Sequence, residues 1–255
     1  MNIYVHSAGF VEDYSRRQPA AAPALPREVR EWQARLDKND ARFALVAGCT
    51  GGAWYIEFRN LLLPGRYDMR NRQIVLNICF GALQSEAQVR ALALAYLDFE
   101  TVYHAAGHCA GRLCPGLATA YREQAGDYDF DFAAARQWAE GIMAHLAPLP
   151  AEAAEITPII CHTNPELDSY TEQVRQQLLT HRLRERDGLR LLWAELDTDP
   201  ACGADITLQY TEGKGCYKTL TAPVTRPARR GKTLLLLSGL AILLIVILYY
   251  LLSAE

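Results

Sequence analysis

The sequence predicts an α/β (α+β) cytoplasmic domain followed by a single C-terminal transmembrane helix. Three observations support this fold class. Strand-like apolar runs alternate with segments of helical periodicity along residues 1–220. The chain is 50% hydrophobic and 22% charged, a composition that can bury a core. Residues 233–252 contain no charge and no proline, and as a helix they span roughly 30 Å, the thickness of a bilayer core.

The N-terminal elements follow from local patterns. A β-rich run predicts a first strand over 2–10, and apolar residues at helical spacing predict a helix over 27–37. Two more strands are predicted over 42–47 and 54–63. The glycine-containing segment 48–52 between them is typical of a hairpin turn. A phosphate-binding loop would need a following helix and a Lys-Ser/Thr pair, which this segment lacks.

The next turn concentrates charge between two predicted strands. Arg66, Asp68 and Arg72 lie within seven residues, just before the apolar strand 74–80. Asp68 could tie the arginines together, the guanidiniums could bind a phosphate or carboxylate, or the segment could be a solvated hairpin tip. Asn77 is a polar residue inside the apolar strand, so it needs a hydrogen-bond partner if it is buried. These four residues are the candidate binding residues.

The spacing of Arg66, Asp68, Arg72 and Asn77, followed by a helix that opens at Ser85, resembles a domain of bacterial GTPase-associated proteins. That family occurs in conflict, or anti-phage, systems. The resemblance covers about residues 1–100. Where the family often has a glycine before the second arginine, this chain has an asparagine, which tolerates the same left-handed turn. The resemblance implies an adaptor or effector-linked module and supplies no catalytic residues.

A long helix is predicted over 85–104, with Ser85 as its N-cap. If this helix continues, Glu100, His104 and His108 share one face, because they are spaced by four residues. Such residues could bind a metal, although the spacing of the histidines and nearby cysteines matches no standard zinc motif. Histidines that close a helix C-terminus, where the dipole favours a cation, are the alternative.

The rest of the soluble part contains fewer signals. The segment 112–131 is interpreted as a loop with a helical turn, and Asp131 as the N-cap of a helix over 132–146. Further predicted elements are a strand over 156–161, a helix from Thr163 to Leu183, and strands over 189–196, 206–210 and 216–220. Seven cysteines in a chain expected in the cytoplasm are interpreted as thiols.

These patterns divide the chain into four parts. An N-terminal α/β subdomain is expected over 1–147 and a smaller one over 148–220, although residues 1–220 could equally be one domain. A basic linker covers 221–232, and the transmembrane helix covers 233–252. The four basic residues before the helix predict that the large domain lies on the cytoplasmic side, with a bacterial inner membrane as the expected location.

The function expected from these patterns is that of a tail-anchored membrane protein whose cytoplasmic domain is an interaction or effector-linked module, as in a bacterial defence system. Its expected partners are the lipid bilayer, through residues 233–252, and a soluble protein. Without the linker bases and Glu255, the chain has 22 basic and 28 acidic residues, so nucleic acid is not an expected partner. No cofactor is expected. A membrane-anchored hydrolase, in a metal-dependent version at Glu100, His104 and His108, is the alternative.

Overall fold

The structure of the chain is a computed structural model. It describes residues 1–7, 15–38, 44–71, 73–103, 109–124, 127–156, 159–160, 167–195, 204 and 206–210. Met1–Thr221 forms one compact unit, and Ala222–Glu255 forms a second unit that lies outside the described residues. The predicted linker and transmembrane helix therefore stay predictions. Within the described ranges, no helix combines the length and apolar character that a membrane span requires.

Strands and helices alternate along the first unit. Its described strands are β1 (Asn2–Ser7), β2 (Ser15–Arg17), β3 (Ala44–Thr50), β4 (Ala53–Tyr67), β5 (Gln73–Leu83), β6 (Glu100–Tyr103), β7 (Cys109–Leu113), β8 (Tyr121–Gln124), β9 (Asp127–Phe130), β10 (Ile159–Ile160), β11 (Gly188–Glu195) and β12 (Ile206–Tyr210). Its described helices are α1 (Arg27–Lys38), α2 (Glu86–Leu97), α3 (Pro115–Ala118), α4 (Phe132–His145) and α5 (Leu167–Thr180).

Ten of these strands form one sheet in the order β10-β12-β11-β3-β4-β5-β1-β2, with β7 paired to β4 and β6 paired to β7. Neighbours from β11 to β2 are antiparallel, whereas β10, β12 and β11 run parallel to one another. Strands β8 and β9 form a separate hairpin. The mostly antiparallel sheet with helices confirms the α+β class. Strands on both sides of residues 148–154 belong to this sheet, and a division into two subdomains stays a prediction.

Alternate residues of the central strands pack on opposite faces of the sheet, as the pleat requires. On one face, Tyr4, Tyr55 and Cys79 pack with Val29 of α1. On the other face, a larger apolar cluster includes residues of α2, α4 and α5. The centre of that cluster is aromatic, with the Phe58 ring 5.7 Å from Phe80 and 5.2 Å from Tyr96 between centroids. The sheet is therefore covered on both sides.

The hairpin predicted at residues 48–52 is confirmed, and the charged turn also joins two antiparallel strands, β4 and β5. Strands β3 and β4 pair antiparallel around Gly51 and Gly52, whose φ angles of 57° and 75° fit a type I′ turn. Strands β4 and β5 pair beyond the charged turn, where Asn71 has a φ of 58°. Asparagine is among the few residues that tolerate this left-handed conformation. Both turns were predictable because their chemistry is local.

The predicted helix over 85–104 is wrong in its last part. Helix α2 ends at Leu97, and Glu100–Tyr103 is strand β6 instead. The helix ends there because a side chain of strand β7 bonds its last carbonyls. Arg112 of β7 donates from Nη1 to the Tyr96 carbonyl at 3.0 Å and to the Phe99 carbonyl at 3.3 Å, which satisfies the helix end. The residues that follow, Glu100–Tyr103, pair with β7 as strand β6.

The helical turn predicted within residues 112–131 is confirmed as α3, whereas the rest of that segment is not a loop, because it contains the β8–β9 hairpin. The N-cap at Asp131 is confirmed, since its Oδ1 accepts from the amides of Ala133 and Ala134 at 2.9 Å. Strands β11 and β12 match the predicted ranges 189–196 and 206–210. Helix α5 ends at Thr180, three residues before the predicted end. The predicted strand 216–220 lies outside the described residues.

Candidate functional site

The charged turn between β4 and β5 is held by backbone contacts. Arg66 donates from Nε and Nη2 to the Tyr121 carbonyl, at 3.3 and 3.2 Å. Asp68 accepts from the Arg70 amide at 2.9 Å through Oδ1. These bonds give Arg66 and Asp68 a part in the fold, since one joins the hairpin to β8 and the other shapes the tip. Arg72 lies outside the described residues.

Asn77, the polar residue in the apolar strand β5, has the partner that its position requires. Its Oδ1 accepts from the Asn60 amide at 2.8 Å. The register of β4 and β5 places Phe58 opposite Ile78 and Leu61 opposite Leu76, so Arg59 and Asn60 together oppose Asn77. Asn60 has a φ of 52°, and Arg59 and Asn60 form a β-bulge opposite Asn77. Asn77 therefore stabilises this β-bulge, to which Arg59 belongs.

The candidate metal residues are only partly described. Glu100 lies at the start of β6, beyond the end of helix α2, so the helical spacing argument does not apply to it. His104 and His108 lie outside the described residues. Among the residues that the structure does describe, no group of three or more His, Cys, Asp or Glu side chains could hold a metal ion. The metal site at these residues stays a prediction.

A pocket of about 180 Å³ lies on the sheet face that α1 covers. Four arginines line it, and they come from β2 (Arg16 and Arg17), α1 (Arg30) and β4 (Arg59). One carboxylate, Glu57, lies among them. The strand pairing explains how they meet, since β2, β1, β5 and β4 are neighbours in the sheet. Among the described residues of the lining, guanidinium groups therefore outnumber carboxylates.

Cross-strand register arranges part of the pocket as a polar row. His6 of β1 is paired with Arg16 on one side and with Asn77 of β5 on the other. The bulge at Arg59 and Asn60 continues this row on β4. Residues paired directly across strands have Cβ atoms about 5 Å apart, so these side chains are neighbours on one face. The candidate binding residue Asn77 is thus part of the pocket.

The floor of the pocket holds a buried ion pair. Arg59 donates from Nε to Glu57 Oε1 at 3.0 Å, and their side chains are 6% and 8% exposed. Removal of one partner from such a pair leaves an uncompensated buried charge, so the two side chains hold each other in place. The remaining arginines are not needed to neutralise Glu57. Arg16 and Arg30 are exposed and lie at the mouth of the pocket.

Tyr4, Cys79 and Gln33 also line the pocket. Burial raises the pKa of the Tyr4 hydroxyl, with smaller contributions from Tyr55 and Cys79. Burial also raises the pKa of the Cys79 thiol well above its ordinary value. Both groups are therefore neutral at physiological pH, and they leave the positive charge of the arginines unchanged.

Gln33 of α1 contributes an unpartnered acceptor. Its side chain lines the pocket, the residue is only 8% exposed, and its Oε1 has no hydrogen-bond partner among the described residues. A buried amide oxygen without a partner costs about 1–3 kcal/mol. The entry to the pocket is formed in part by the 18–26 segment, which the Tyr4 hydroxyl anchors by donating to the Pro23 carbonyl at 2.9 Å.

Apart from Asn77, sequence reasoning missed this pocket. The available signal was the alternation of polar residues within otherwise apolar strands, at Glu57 and Arg59 in β4 and at Asn77 in β5. Polar residues that repeat at a period of two share one sheet face. Arg16 and Arg30 carried no such signal, because only the strand order brings them to the same place.

Comparisons of the chain with protein-family models, curated proteins and solved structures gave no match.

Proposed function

We propose that this chain is a single-pass membrane protein, anchored by residues 233–252, whose α+β domain acts on the cytoplasmic side as an interaction module. The observation that carries the proposal is the uncharged run of twenty residues directly after Arg226, Arg229, Arg230 and Lys232. A run of this length matches the bilayer core, and the basic flank favours the cytoplasmic side.

The module would bring a soluble protein partner to the membrane or act there when the partner is present. Two features support a binding role. The domain carries a recessed pocket with an excess of positive charge, and the spacing of Arg66, Asp68, Arg72 and Asn77 resembles effector-linked modules of bacterial conflict systems. A defence role in a bacterial inner membrane is part of this proposal.

Membrane fractionation tests the anchor. The full chain should pellet with membranes and resist extraction with alkaline carbonate, because a spanning helix is held by the bilayer core. The matched control is the chain truncated after residue 225, which should stay in the supernatant. Release of the full chain by carbonate would contradict the anchor.

Partner capture tests the interaction role. Affinity purification of the full chain in mild detergent should yield a complex of fixed stoichiometry. The matched control is an unrelated soluble domain fused to residues 221–255, which should not yield that complex. Recovery of the same proteins with both baits, or of no complex, would argue against an interaction module.

A membrane-anchored hydrolase is the second candidate, favoured by the sequence cluster of Glu100, His104 and His108. Tight structural or catalytic zinc survives purification. Metal analysis of the purified full chain should then find close to one equivalent. Less than about a tenth of an equivalent would remove the zinc-dependent version.

A further inference from the structure

We propose that the pocket between α1 and strands β1, β4 and β5 binds a small phosphomonoester. Its lining is unusual for this chain, whose formal net charge is −3. Among the described lining residues, Arg16, Arg30 and Arg59 accompany one glutamate, and such an arrangement of guanidinium groups is stabilised by a bound dianion. The inference concerns the pocket alone and does not depend on membrane anchoring.

The arginines are placed in two layers that suit a phosphoryl group. Arg59 is held at the floor by Glu57 at 3.0 Å and is 5% exposed, so its guanidinium is fixed before any ligand binds. Arg16 and Arg30 are exposed at the mouth. Neither guanidinium has a hydrogen bond or ion pair within the described part of the chain. Guanidinium groups match the oxygens of a phosphoryl group by paired hydrogen bonds, and several can share its dianionic charge.

The pocket volume of about 180 Å³ is close to that of a cavity that holds one benzene molecule, about 150 Å³. There is room for a phosphoryl group with a few carbon atoms, and not for a nucleotide.

The test uses glycerol 3-phosphate as the probe and the full chain in phosphatidylcholine nanodiscs. Isothermal titration calorimetry should show saturable binding at one site. The Arg16→Gln/Arg30→Gln double variant should bind about tenfold more weakly, because it lacks the two charges at the mouth. The control is Arg27→Gln, a loss of charge on the same helix at a residue whose partner is Glu31 and which does not line the pocket. It should bind within about twofold of wild type.

Several results would overturn the proposal. These are no saturable binding up to about 10 mM probe, unchanged affinity in the double variant, or equal affinity for glycerate, which replaces the phosphoryl group with a carboxylate.

The same group can come from a soluble metabolite or from a lipid headgroup, and a third arm separates these sources. Lysophosphatidic acid in the nanodisc presents the glycerol 3-phosphate group at the membrane surface. If it lowers the affinity for the soluble probe more than lysophosphatidylcholine does, the lipid reaches the pocket. If both lipids leave the affinity unchanged, the source is soluble. Either result supports a phosphomonoester site, provided that the double variant has lost affinity for the probe.

Discussion

Arg66 shows how a side chain that the sequence marks as a binding candidate contributes to the fold. Arg66 donates two hydrogen bonds to the carbonyl of Tyr121, and the Tyr121 hydroxyl in turn donates to the buried Ser7 Oγ. The charged hairpin is therefore tied to β8 and, through it, to β1. Sequence spacing alone could not separate this role from ligand binding, because the partner is a backbone atom 55 residues away.

Arg66→Ala should lower the free energy of unfolding by roughly 1–3 kcal/mol, because the Tyr121 carbonyl loses a charged donor. The control is Arg70→Ala in the same turn. The Arg70 side chain is exposed and only its amide takes part in the turn, so its loss should cost less than about 0.5 kcal/mol. Urea denaturation of the full chain in mild detergent measures both. Equal stability of the two variants would show that the Arg66 bonds contribute nothing.

Cys114 gives a pH-dependent prediction. The side chain is fully buried, and burial raises the pKa of its thiol from 9.0 to about 12, against a smaller opposite effect of the Leu117 and Gly116 amides. The unfolded thiol ionises at the lower pKa, so the folded state loses relative stability as pH rises from about 9 to about 12. The loss approaches roughly 1.4 kcal/mol per pH unit in this window.

Cys114→Ala removes this titration. We expect the unfolding free energy of wild type to fall more steeply between pH 8 and pH 10.5 than that of the variant. Other groups that titrate in this range cancel in the comparison. Urea denaturation at several pH values measures the two slopes, and parallel slopes would contradict the raised pKa.

Among the elements, those with local signals were predictable. The β3–β4 hairpin followed from adjacent glycines, and the start of α4 followed from Asp131 before an apolar periodic run. The end of α2 was not predictable, because Arg112 closes it from another strand. The β8–β9 hairpin was also missed, since its strands are only four residues long and half of their residues are charged. Local chemistry fixes where elements begin, and long-range contacts decide where several of them end.

A buried ion pair lies within helix α2, and its arginine also bonds helix α5. Arg90 is fully buried and donates to Glu86 Oε2 at 2.7 Å and to the Leu178 carbonyl at 2.6 Å. Arg90→Met should destabilise the domain by about 3–5 kcal/mol, because Glu86 would remain as an unpaired buried charge. Adding Glu86→Leu should restore part of this loss, since an apolar pair removes the stranded charge.

The matched control for Arg90→Met is Arg175→Met. Arg175 lies on α5 and pairs with Asp98 at 2.5 Å, but Asp98 is 62% exposed. Such a pair contributes at most about 1 kcal/mol, because water screens it. Thermal unfolding followed by circular dichroism compares the variants. A smaller loss of stability for Arg90→Met than for Arg175→Met would show that burial does not determine how much the Arg90–Glu86 pair contributes to stability.

At the scale of the whole molecule, charge is distributed unevenly. Residues 1–225 have a formal charge of −6, the pocket is lined by four arginines, and four further basic residues precede the apolar run 233–252. The basic flank is continuous in sequence and was predictable. The pocket was not, because its arginines are separated by up to 43 positions, from Arg16 to Arg59, and meet only through the order of the strands in the sheet.

The basic flank predicts the orientation of the domain, and trypsin can test it. Arg229, Arg230 and Lys232 are cleavage sites between the domain and the apolar run. If positive charge keeps this flank in the cytoplasm, trypsin added to sealed spheroplasts should leave the chain intact. The same protease should release the domain after the membrane is permeabilised with detergent, which controls for access to the flank. Release of the domain from sealed spheroplasts would show that it faces the opposite side of the membrane.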